Sequence, residues 1–76
     1  MTPTQQKIAA LVAKVSNKSV PADPEESLFD SGILDSFTLT DLVGELERAF
    51  GIKVPDNDLK PRRFDSVNRI AAYVEK

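Results

Sequence analysis

The sequence has no cysteine and no histidine. Without cysteine there are no disulfide staples, no thiolate nucleophile and no cysteine metal ligand. Without histidine the chain lacks the commonest general base near neutral pH and the commonest metal ligand. Together these absences weigh strongly against an enzyme that works by itself. Long apolar runs are missing too. None approaches the roughly 20 residues that a membrane-spanning helix needs, and the start of the chain has no signal-peptide core. The expectation is a soluble cytoplasmic protein with no membrane span.

What is present suffices for one modest core. With 76 residues, residues 1–76 are expected to form a single domain. Apolar residues make up 41% of the chain, enough to fold, and charged residues 29%, enough to solvate its surface. The net charge of −2 conceals an uneven distribution. Residues 1–24 set Asp23 against Lys7, Lys14 and Lys18. Residues 25–50 hold Glu25, Glu26, Asp30, Asp35, Asp41, Glu45 and Glu47 against Arg48 alone. The remainder is basic again, with Lys53, Lys60, Arg62, Arg63, Arg69 and Lys76 outnumbering Asp56, Asp58, Asp65 and Glu75. A nucleic-acid ligand is not expected on the acidic middle segment, whereas a basic protein partner suits it.

Helix signals recur along the chain. Thr2-Pro3-Thr4-Gln5 reads as a helix start, with Thr2 as cap, Pro3 in the first helical position and Gln5 in the capping-box position. Ile8, Leu11, Val12 and Val15 then form one apolar stripe, ending near Ser16. The connection up to Leu34 is long by the usual standard of about 4–6 residues. Pro21 and Pro24 prevent a regular helix across it, although a short helical turn within Pro24–Leu28 would fit. Val20, Leu28, Phe29, Ile33 and Leu34 can dock it onto a core, and Gly32 suits a turn with positive φ. Such a loop predicts first and second helices running in the same direction.

Asp35 reads as the N-cap of the second helix, with Ser36 in its first turn. Leu39, Leu42, Val43, Leu46, Ala49 and Phe50 form its apolar face, and Gly51 stops it. At about 100° per residue, Phe37 falls nearly opposite that face, on an outward strip with Asp41, Gly44 and Arg48. Ile52–Pro55 is extended, and residues 55–59 could form a short helical turn limited by Pro61. Phe64 anchors the next turn. Ser66 caps a last helix with the stripe Val67, Ile70, Ala71 and Val74. The predicted fold class is all-α: a small bundle of three main helices plus one short helix, with a long loop between the first two.

Ser36 admits three readings. As a nucleophile it would need a base, and the chain has no histidine and no lysine near it in sequence. As a cap it would duplicate Asp35. As an attachment point it gains from its place, because a phosphate ester is favoured at a helix N-terminus. Phe37 would then offer a modifying enzyme an apolar handle, and Asp35, Asp41, Glu45 and Glu47 would offer electrostatic steering. The Asp41–Glu45 pair could also hold a divalent cation weakly, although a solvated acidic face is the simpler reading.

The run Leu28-Phe29-Asp30-Ser31-Gly32-Ile33-Leu34-Asp35-Ser36-Phe37 resembles the phosphopantetheine-attachment motif of acyl carrier proteins and their relatives. The likeness continues through Leu42–Glu47, Phe50–Pro55, and Phe64–Val67 with Ile70. The resemblance implies that Ser36 bears a covalent 4'-phosphopantetheine arm, whose thiol holds acyl or aminoacyl cargo as a thioester. It also implies that Asp35, Phe37, Asp41, Glu45 and Glu47 are recognised by a phosphopantetheinyl transferase, by an acyl or aminoacyl ligase and by downstream transferases. The chain itself would have no catalytic residue and no metal site, and would work as a monomer. Carriers of bacterial fatty-acid synthesis often have leucine and methionine where Phe37 and Gly44 stand, and more acidic second and third helices. Here Lys60, Arg62 and Arg63 surround the third helix, serving either solubility or partner choice. These departures point to a freestanding carrier outside housekeeping fatty-acid synthesis, of the D-alanyl or aminoacyl kind. The alternatives are a carrier of fatty-acid synthesis and an unmodified interaction module that uses the Phe37 face.

Overall fold

Thr2 opens the first helix as its residue type predicts. Its hydroxyl accepts the Gln5 amide at 3.1 Å, and the Gln5 side-chain oxygen accepts the Thr2 amide at 3.0 Å. This reciprocal pair satisfies amides that a helix start leaves without partners. The structure is a computed structural model describing residues 2–75, so Met1 and Lys76 lie outside the described residues. Helix α1 (Pro3–Ser16) ends at Asn17, which takes the left-handed conformation at φ 57° and donates its amide to the Ala13 carbonyl. Asparagine tolerates that backbone better than most side chains. Ile8 and Val12 of α1 are fully buried, with Leu11 and Val15 half-buried beside them.

Helix α2 (Ser36–Phe50) buries Leu39, Leu42, Val43 and Leu46, and Gly51 closes it at φ 64°. A residue with a β-carbon would be strained there. The chain then runs extended through residues 52–55, with Ile52 and Val54 half-buried and Lys53 and Pro55 exposed. Where one short helix was expected, two 3-10 turns follow, Asp56–Asp58 and Pro61–Arg63. Pro61 is the reason. It has no amide to donate and biases the preceding residue away from the helical region, and Lys60 is extended at φ −127°, ψ 138°. Phe64 then plunges into the core, fully buried, and stacks at a tilt on Tyr73, their ring centroids 5.2 Å apart. The Tyr73 hydroxyl donates to Asp58 at 2.8 Å; burial, then the Asp58 carboxylate, push its pKa above the ordinary value. Ser66 accepts the Arg69 amide at 3.1 Å, capping helix α3 (Val67–Glu75), which buries Val67, Ile70 and Ala71.

Three helices around one apolar core, with no strand among the described residues, make this an all-α bundle. The relative direction of α1 and α2 corrects the sequence-based expectation. Lys7 reaches the Ala49 carbonyl and the Phe50 ring at the far end of α2, Lys14 reaches Glu45, and Lys18 reaches the Gly32 carbonyl just before α2. Contacts that advance along α1 while receding along α2 mean antiparallel helices. Loop length set the reach of the connection but not its path, which runs out and back. It leaves α1 at Asn17 and crosses to the start of α3, where the Pro24 carbonyl accepts the Asn68 amide at 2.9 Å. There Ser27 donates to the Asp65 carboxylate at 2.6 Å and the Leu28 amide donates to the Asp65 carbonyl. The loop then returns to Gly32. Residues 24–28 form turns rather than a helical segment.

Phe64 lies outside the three helices yet is as buried as any helical core residue. Phe64→Ala is expected to cost roughly 3–5 kcal/mol, against a total stability of about 4–11 kcal/mol for a chain of this size. Urea unfolding followed by circular dichroism measures the loss.

Candidate functional site

The start of α2 is shaped by its neighbours. Leu28 accepts the amides of both Ile33 (2.9 Å) and Leu34 (3.0 Å), and Gly32 turns the chain at φ 78°. Leu28, Ile33 and Leu34 are buried, so the residue that follows them emerges from an anchored turn. That residue is Asp35, extended at φ −138°. Its carboxylate accepts both the Thr38 amide and the Thr38 hydroxyl at 2.8 Å. The Thr38 amide, then the Thr38 hydroxyl, hold the Asp35 pKa below its usual value; the Phe37 amide and the Lys18 ammonium add to this against a modest desolvation.

Because Asp35 is the cap, Ser36 is spared that task. Ser36 occupies the first helical position and is exposed. Its carbonyl accepts the Thr40 hydroxyl at 3.1 Å, while its own hydroxyl has no hydrogen-bond partner among the described residues. Phe37 beside it is 84% exposed, the one large apolar side chain so placed among those described. An exposed and unpartnered hydroxyl on a rigid helix end, next to an apolar side chain standing in water, can be reached by a visiting enzyme.

The remaining acids separate in space. Asp41 is exposed on the strip of Phe37. Glu45 turns to one side, its side chain only 17% exposed and bonded to Lys14 at 2.8 Å and to Arg48. Those two cations lower its pKa, the Lys14 bond first. Glu47 turns to the other side, where its carboxylate accepts the Val54 amide at 2.8 Å and ties the extended segment to α2. The start of α2 thus gathers Asp35, Ser36, Phe37 and Asp41, whereas Glu45 and Glu47 are engaged within the fold. No cluster of three acidic side chains suited to a cation occurs among the described residues. Lys14 and Lys18 escaped the sequence reading of this site. The signal was the excess of positive charge before residue 25 facing the excess of negative charge after it.

Gly44 sits midway along α2 in an open groove lined by Lys14, Val15, Thr40, Asp41, Glu45 and Arg48. A β-carbon there would meet nothing within 4 Å, so packing within the fold does not require glycine. Lys60, Arg62 and Arg63 lie elsewhere, on and before the second 3-10 turn. There Arg63 stands 3.9 Å from Asp58, and Arg69 of α3 donates to the Arg62 carbonyl at 2.7 Å.

Comparison with known proteins adds the chemistry. Residues 6–74 match the model of a family described as "Phosphopantetheine attachment site". D-alanyl carrier protein 1 of Lactiplantibacillus plantarum is 32% identical over 75 residues, covering 99% of this chain and 94% of that protein. The D-alanyl carrier protein of Streptococcus uberis is 33% identical over 72 residues, covering 95% and 91%. That of Streptococcus pyogenes serotype M1 is 32% identical over 72 residues, with the same coverage.

Two outcomes follow from the geometry. The lowered Asp35 pKa means that the native state holds the ionised form more tightly than the unfolded chain does. Its contribution is therefore full above the unfolded pKa of about 3.9 and fades as pH falls through the lower native value. The stability gap between wild type and Asp35→Ala, measured by urea unfolding, is expected to be widest near neutral pH and to narrow in strong acid. Gly44→Ala is expected to raise stability by about 0.5–1 kcal/mol, read in the same assay.

Proposed function

The chain belongs to the family defined by a phosphopantetheine attachment site, and from that membership we propose that Ser36 carries the arm and that the cargo is aminoacyl, with D-alanine the first candidate. The observation that carries the reading is the Ser36 hydroxyl, exposed and unpartnered while Asp35 caps the helix. The residues fit the group. An ester formed at that oxygen removes no hydrogen bond from the fold, and the first turn of a 15-residue helix favours negative charge. When attached, 4'-phosphopantetheine supplies the thiol that this cysteine-free chain lacks, and that thiol holds cargo as a thioester.

The chain's own residues then present and position. Asp35 keeps the helix start rigid, and Phe37 and Asp41 give visiting enzymes an apolar contact and a negative charge beside the hydroxyl. The partners of this reading are a phosphopantetheinyl transferase, an aminoacyl ligase and a downstream acceptor transferase. In it residues 1–76 act as one monomeric, cytoplasmic carrier domain with no catalytic step of its own, outside housekeeping fatty-acid synthesis. The cargo assignment is supported by the names of the D-alanyl carrier proteins to which the chain is similar. Among the described residues no helix is long and apolar enough to cross a membrane.

Incubation with coenzyme A and a broad-specificity phosphopantetheinyl transferase is expected to add one phosphopantetheine mass to wild type and none to Ser36→Ala. The helical circular dichroism signal should be the same in both. A wild-type mass that stays unchanged while a control carrier is modified would overturn the reading. Asp41→Lys is expected to slow the addition more at low salt than at high salt. For the cargo, the modified protein with ATP and a D-alanine ligase should gain a hydroxylamine-labile D-alanyl group. Loading by fatty acyl groups alone would favour the fatty-acid alternative.

A further inference from the structure

An arm at Ser36 brings a phosphodiester, and so a permanent negative charge, to a place that already holds one. Asp35 is the preceding residue, ionised and fixed by Thr38. The helix start offers less compensation than usual, because the Thr38 amide is already engaged with the Asp35 carboxylate. Two nearby cations of the α1–α2 pair, Lys14 and Arg48, are bound to Glu45. One cation of that pair's connection is differently placed. Lys18 follows the left-handed cap of α1, its backbone amide held by the Ser16 hydroxyl at 3.2 Å. Its ammonium reaches across to the Gly32 carbonyl at 2.8 Å, in the turn that delivers Asp35 and Ser36. That bond uses one of three N–H donors, and the other two have no acceptor among the described residues.

We propose that Lys18 is the counter-charge of the phosphodiester on Ser36, pinning the root of the arm against the 28–34 turn. The proposal rests on the reading of Ser36 as the attachment point. The observation that carries it is the Lys18–Gly32 contact at 2.8 Å, in the turn four residues before Ser36; the Lys18 charge is also the last of the causes that lower the Asp35 pKa. Lys18 is thus a positioning residue. With its root held, the arm leaves the surface from one side of α2, so its thiol sweeps a narrower region than a freely pivoting chain would.

Removing Lys18 also removes the Gly32 contact, so the test must separate the two effects. Wild type, Lys18→Gln and Lys18→Arg are each prepared unmodified and phosphopantetheinylated, with masses confirmed, and unfolded in urea at low and high salt. At low salt the Lys18→Gln substitution is expected to lower the folding constant of the modified protein about two- to fivefold more than that of the unmodified protein. That excess should vanish in about 1 M salt and be restored by Lys18→Arg. Equal losses in both forms, or an excess that high salt leaves unchanged, overturn the pairing and leave Lys18 as a prop for the Gly32 carbonyl. A wild-type mass that does not change overturns the attachment reading, and this one with it.

Discussion

Asp65 is the residue through which the fold fixes its candidate site. The connection between α1 and α2 is long, and the bonds it makes within itself leave the Leu28 and Phe29 amides to find partners elsewhere. Asp65 resolves this with two groups. Its carbonyl takes the Leu28 amide, and its carboxylate takes the Ser27 hydroxyl and the Phe29 amide. Buried polar groups left without partners would each cost about 1–3 kcal/mol. With Leu28 so held, its own carbonyl is placed to receive Ile33 and Leu34, and the turn closes. Asp35 and Ser36 are the next two residues. A carboxylate near the end of the chain thus sets the position of a serine in its middle.

Around that serine the work is divided among neighbours. Asp35 caps, Phe37 protrudes, and the Ser36 side chain makes no contribution to the fold. Glu45 and Glu47, which in one dimension look like part of an acidic display, are drawn into structural bonds with Lys14, Arg48 and the Val54 amide. The outward strip of α2 is therefore less negative than the residue count suggests, and its most prominent feature is an aromatic ring. A partner that docks there meets an apolar knob with one free carboxylate beside it, so shape carries more of the recognition than charge.

Helix ends were legible in the sequence because their chemistry is local. Thr2 with Gln5, Asn17, Asp35, Gly51 and Ser66 each act within four residues of where they stand, and each does in the structure what its type implies. The core stripes were legible for the same reason. What escaped was set by distant partners. The grip of Asp65 on Ser27 spans 38 residues, and the Lys14–Glu45 bond spans 31. No local pattern announces either. The antiparallel course of α1 and α2 depends on the first, because a loop anchored at its midpoint returns toward its origin. The division of the third segment into two 3-10 turns was half-visible, with Pro61 marking the limit of the first but not the start of the second. At the candidate site the order of cap, serine and aromatic residue could be read directly, whereas the reach of Lys18 to the Gly32 turn before them could not.

The anchoring of the loop has a consequence for the chain as it is being made. Besides bonds within the loop, Pro24, Ser27, Leu28 and Phe29 each have a partner at Asp65 or Asn68. A nascent chain that has exposed α1 and α2 therefore still lacks the segment that anchors the turn before Ser36. Since domains generally fold as units during synthesis, the turn before Ser36 gains its Asp65 and Asn68 anchors only when the first turn of α3 has left the ribosome. If Ser36 is the attachment point, an enzyme that recognises the ordered turn rather than the short peptide would act on complete domains and pass over truncated ones.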